Sequence, residues 1–118
     1  MNTPVSFELA KALKEKGFDR KCASFYDLIS SNQIDGAPLG NYNLTKQSVS
    51  IPTIATVVMW LYEKHEIWVS VNREPESGVF FFSVDKNKGD FFFDKGDDYN
   101  SPTEAYEAAI EYTLKKLL

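Results

Sequence analysis

The chain holds one histidine and one cysteine, so its scope for nucleophilic or acid–base chemistry is narrow. His65 lies between Glu63 and Glu66 with only Lys64 intervening. It would be the general acid or base of any catalytic set. The competing reading places it near a helix C-terminus, where an imidazole meets the negative end of the helix dipole. We adopt that reading, because no Ser or Cys neighbours His65 in sequence and a lone histidine needs carboxylate partners to hold a metal. Cys22 would act as a nucleophile only with His65 brought close to it; a partly buried free thiol is the expectation. Asp94, Asp97 and Asp98 around Gly96 suggest a calcium loop, but counted from Asp94 the glycine is third and Ala105 twelfth. An EF-hand needs its glycine centrally and a glutamate at the end, so the pattern fails. No catalytic residue, metal site or cofactor is expected, and the chain is read as not an enzyme.

Aromatic side chains offer a different chemistry. Nine Phe, six Tyr and two Trp stand in 118 residues. Among them Trp68, Phe81 and Phe92 form the candidate interaction surface, on the face of a sheet that strand alternation leaves mixed. Sheets that stack nucleic-acid bases pair such aromatics with flanking Arg or Lys. Here the flanks are Asp90, Asp94 and Glu74, with Arg73 the one nearby Arg. Base stacking is therefore disfavoured. Two readings stand: residues 1–50 cover this face, or it is exposed to another protein or a second copy. We favour coverage, which would also bury the apolar stripe of the N-terminal helix.

The elements that position these residues follow from periodicity and turn chemistry. Thr3 and Pro4 suit the cap and first turn of an N-terminal helix within 1–18, with Val5, Leu9, Ala12, Leu13 and Lys16 at helical spacing. Gly17 supplies its left-handed stop, and Phe18 folds back towards Leu13. Residues 19–50 hold the turn signals Asp35-Gly36 and Pro38-Leu39-Gly40 and little periodicity, so a loose hairpin or loop is expected. Cys22 to Ile29 and Asn41 to Val49 are its candidate strands. Pro52 to His65 is a helix apolar nearly all round, which predicts that it lies between a sheet and the N-terminal segment. Three strands follow: Ile67 to Arg73, Gly78 to Asp85 and Asp90 to Asp94, with turns at Glu74–Ser77 and Lys86–Gly89. The simplest register sets Val71, Val69 and Ile67 opposite Phe80, Phe82 and Val84, then Val84 and Phe82 opposite Phe91 and Phe93. Ser101-Pro102-Thr103-Glu104 opens the last helix with a capping box. Tyr106, Ala109, Ile110, Thr113, Leu114 and Leu117 form its stripe.

These elements make one α+β domain over 1–118: an N-terminal helix (1–18), a loose hairpin or loop (19–50), and a helix–meander–helix core (51–118). That core is a three-stranded antiparallel meander with two helices on one face. Net charge is −4. Residues 1–51 carry six basic and five acidic side chains, and residues 52–118 carry seven and twelve. An acidic half-chain disfavours phosphate or anionic-membrane binding. No apolar run approaches the ~20 residues of a membrane span. One cysteine, and an N-terminal Met-Asn-Thr-Pro without a basic and apolar leader, fit a cytoplasmic setting.

Two resemblances accompany this reading. Helix–strand–strand–strand–helix over residues 51–118, ending in Ala105-Tyr106-Glu107-Ala108-Ala109-Ile110 and on to Leu117, resembles the double-stranded-RNA-binding domain. That family grips phosphates with lysines at the start of its last helix. Pro102, Thr103, Glu104 and Glu107 stand there instead, so the resemblance implies a fold and argues against duplex RNA. Ser50-Ile51-Pro52-Thr53-Ile54-Ala55, Val57-Val58-Met59-Trp60-Leu61-Tyr62-Glu63-Lys64-His65 and Ser101-Pro102-Thr103-Glu104-Ala105-Tyr106 are similar to short uncharacterised proteins of gut anaerobic bacteria and their phages or mobile elements. That resemblance implies a bacterial cytoplasmic setting and no activity. The expected function is a non-catalytic protein-interaction module whose partner is an unknown protein or a second copy, with no double-stranded RNA and no membrane. Nucleic-acid binding by analogy of fold is the alternative.

Overall fold

The N-terminal helix starts three residues later than its sequence suggests. In the computed structural model, which describes residues 2–86 and 99–118 in full and the backbone of 90–93, α1 spans Phe7–Glu15. Ser6 caps it, its hydroxyl accepting the Leu9 N–H at 3.2 Å. Thr3 is a bend instead, and Pro4 forms an isolated antiparallel bridge with Thr53. The Thr3 carbonyl accepts from the Ile54 N–H, and the Val5 N–H donates to the Pro52 carbonyl. At the other end Gly17 adopts φ +86°. The Phe18 N–H then reaches back to the Leu13 carbonyl, and the Gly17 N–H to Lys14. This is the expected left-handed stop, with Leu13 and Phe18 both buried beneath it.

Residues 19–50 are more ordered than a loose loop. Three short strands, β1 (Phe25–Asp27), β2 (Asn32–Ile34) and β3 (Ser48–Ser50), form an antiparallel sheet in the order β2-β1-β3. Polar side chains stitch the long connection to this sheet. Asn43 donates from Nδ2 to the Phe18 carbonyl and accepts the Ser50 N–H on Oδ1. The buried Ser50 hydroxyl accepts the Tyr42 N–H. Lys14 on α1 donates to the carbonyls of Thr45 and Ser48. The Phe25 and Tyr42 rings stack 4.2 Å apart.

Thr53 caps α2 (Ile54–His65), accepting the Thr56 N–H. Its buried residues are Ile54, Val57, Val58, Trp60 and Leu61. Trp60 has no exposed surface, and Phe18 meets its ring edge-on at 5.2 Å. The helix thus lies between the N-terminal segment and the larger sheet, as its apolar composition predicts. The enclosure is incomplete, because Met59 and Tyr62 stand exposed on one flank.

The larger sheet has the order β4-β5-β6, from β4 (Ile67–Arg73), β5 (Phe80–Lys86) and β6 (Asp90–Phe93). Its first hairpin is offset from the expected register by two: Ile67, Val69 and Val71 pair with Lys86, Val84 and Phe82. Gly78 is the cause. Its φ of +78° takes it and Val79 into the turn, where Glu74 and Val79 are bonded. An offset of two preserves the faces, so Ile67, Val69, Phe82 and Val84 are buried beneath the helices. The second hairpin is offset by one: Val84 pairs with Phe92, and Ser83 with Phe93. Lys86, expected to open the connecting turn, instead ends β5; residues 87–89 and the loop bearing Asp94, Asp97 and Asp98 lie outside the described residues.

Ser101 caps α3 (Pro102–Lys116), accepting the Glu104 N–H at 3.2 Å. Glu104 returns to the N–H of Asn100, one residue before its expected capping-box partner. Ala105 and Ala109 are fully buried and let α3 approach the sheet closely. Helices α2 and α3 share one face of the meander, while α1 and β3 pack outside them. No described helix is long and apolar enough to cross a membrane.

Candidate functional site

Trp68 sits on β4, one residue beyond the buried Ile67, so its Cβ leaves this edge strand on the side opposite Ile67. It retains 42% of its surface. Coverage of this face by residues 1–50 therefore fails at Trp68. The stripe of α1 is already buried against α3 and β3, and Phe18 against α2.

A backbone turn brings a second aromatic to Trp68. Glu66 ends α2 in the left-handed conformation, φ 55° and ψ 37°, its N–H bonded to the Tyr62 carbonyl. The chain reverses there into β4. Trp68 meets Tyr62 edge-to-face, with ring centroids 5.4 Å apart and planes at 80°. Tyr62 is 53% exposed. The two rings belong to a cleft of about 530 Å³ whose other lining residues are Glu63, Glu66 and Asp85. Asp85 arrives from β5 as the register partner of Trp68. Arg20 Nη1 lies 3.5 Å from Glu63. Among the described residues, Glu66 and Asp85 have no ion-pair partner.

Of the three aromatics expected to share a surface, Trp68 and Phe81 stand apart along the strands. Phe81 pairs with Asn72 and lies four positions along β5 from Asp85, the partner of Trp68. At a strand rise of about 3.3 Å per residue that is about 13 Å. Phe81 is half-buried. The backbone of Phe92 pairs with Val84, and its side chain lies outside the described residues. The residues that do join Trp68 are Tyr62, Glu63, Glu66 and Asp85. Their sequence signal was weak: two aromatics flanking a helix-to-strand junction, in a stretch already read as core.

The groups considered for catalysis are placed apart from this cleft. His65 turns inward, its ring edge-on to Trp60 at 4.8 Å and its Nε2 buried without a hydrogen-bond partner. Loss of solvent, then the charges of Lys64 and Lys86, hold its pKa below the usual value. Cys22 is buried, its thiol directed at the Arg20 carbonyl 3.6 Å away. Burial pushes that thiol up to about 11, against a smaller opposing effect of Ser50. Neither residue numbers the other among these contacts. Among the described residues, no group of three or more His, Cys, Asp or Glu side chains is placed to hold a metal ion. No protein-family model, curated protein or solved structure matches this chain.

Proposed function

We propose that this chain is a non-catalytic protein-interaction module and that the Tyr62–Trp68 cleft is its binding surface. One observation carries the reading: two large aromatics stand exposed and edge-to-face in a walled concavity. Exposed aromatics in a concave site are characteristic of the centres of protein interfaces. The buried free thiol and the bacterial or phage resemblance suit a cytoplasmic setting for such a module. Duplex RNA is not the partner we propose. Glu104 and Glu107 occupy the start of α3, where a phosphate grip needs cations.

The test is affinity capture from the native cell with the intact chain and with Trp68→Ser, read by mass spectrometry. One protein held by the intact chain and lost with an equally stable Trp68→Ser is the expected result. Sedimentation of the same pair distinguishes a second copy as that partner. Capture unchanged by the substitution would move the binding surface elsewhere.

A further inference from the structure

The walls of the cleft carry information about what it binds. Tyr62 and Trp68 supply ring surface, and Glu63, Glu66 and Asp85 surround that surface with carboxylates. The Glu63 carboxylate is shared with Arg20. Lys64, beside Glu63, extends to Asp19 at 3.7 Å, and Lys86, beside Asp85, donates to the Leu117 carbonyl at 3.4 Å; neither pairs with a carboxylate of the cleft. Glu66 and Asp85 therefore face the rings without a described cation. The C-terminal end of α2 adds a further negative partial charge beside Glu66. An anionic or purely aliphatic occupant would desolvate these carboxylates with nothing in return.

From this charge complementarity we propose that the cleft takes the cationic side chain of an arginine presented by a partner protein. The inference rests on the module reading and names its partner's chemistry. A guanidinium is planar, so it lies against an aromatic face while its edge donates to carboxylates. Trp68 would supply the face, and Asp85 and Glu66 the acceptors. Arginine suits the site better than lysine, because the ammonium is a compact charge that keeps its water and cannot meet ring and carboxylates through one plane. Tyr62 acts by holding the Trp68 ring through their edge-to-face contact.

The probes are N-acetyl-arginine amide and its neutral isostere, N-acetyl-citrulline amide. Each is titrated into the intact, isotope-labelled chain, and the two tryptophan indole N–H signals are followed. Trp68 should shift saturably with the arginine amide while the enclosed Trp60 stays still. The citrulline amide should bind about threefold to thirtyfold more weakly, the range that a cation over an exposed to partly desolvated ring contributes. Trp68→Ala should abolish the effect. The double variant Glu66→Gln, Asp85→Asn keeps the shape of the cleft and should weaken arginine without changing citrulline. Equal binding of the two amides, or shifts that survive Trp68→Ala, would overturn the proposal. A Trp68-dependent protein found by capture, with an arginine amide that leaves the indole unmoved, would keep the module and discard the arginine. Binding of the amide at Trp68 with no captured protein would do the reverse.

Discussion

His65 is held where a positive charge is costly. Its buried Nε2 and the neighbouring Lys64 and Lys86 hold its pKa below the ordinary 6.5 in the folded chain. Above 6.5 both folded and unfolded chains carry a neutral ring. As pH falls through 6.5 the unfolded chain takes up a proton that the folded chain refuses, so stability falls with it. Urea denaturation at stepped pH should show this slope immediately below 6.5. His65→Phe, which keeps a ring against Trp60, should flatten it. Cys22 makes a parallel prediction. With its pKa raised to about 11, almost none of the thiol is thiolate at neutral pH. The native chain should resist iodoacetamide and the denatured chain should react, as mass spectrometry of the alkylated protein will read.

At the scale of elements, Gly17 isolates the energetics of one helix end. It holds φ +86°, and a Cβ added there would meet no atom within 4 Å. Gly17→Ala should therefore destabilise the fold by about 1–2 kcal/mol through backbone conformation alone. A chemical denaturation midpoint unmoved by the substitution would refute this. Elements of this kind are legible in the sequence. The stop at Gly17, the cap at Ser101 and the alternation of β4 and β5 each have a local chemical signature. The small sheet of β1, β2 and β3 does not. Its strands are three residues long, and its connections are held by Asn43, Ser50 and Lys14 reaching distant backbone groups. Such bonds leave no period to read. The candidate site was half legible for a related reason. Trp68 stands out by alternation, but Tyr62 joins it only because Glu66, a non-glycine residue, takes a left-handed turn. The offset that parts Trp68 from Phe81 depends on Gly78 entering the turn, which a minimal hairpin does not anticipate.

At the scale of the whole molecule, Trp60 joins the two halves. It meets Phe18 from the N-terminal segment and His65 from its own helix, and no part of it reaches solvent. Trp60→Ala should cost about 3–5 kcal/mol. That is a large share of the stability of a small domain, commonly about 5–15 kcal/mol. Loss of cooperative unfolding at room temperature is the expected reading by circular dichroism, and a variant as stable as the parent would refute the role. The same contact has a consequence in time. A ribosome makes Val5, Leu9, Leu13 and Phe18 well before it makes Val57, Trp60 and Leu61, the residues of α2 that share their core. At about 5–20 residues per second, the apolar stripe of α1 waits several seconds for its cover. Nascent chains stalled before α2 leaves the exit tunnel should recruit a holding chaperone, and chains stalled after α3 has emerged should release it. The order of synthesis thus leaves the first helix in need of protection until the later half of the fold arrives.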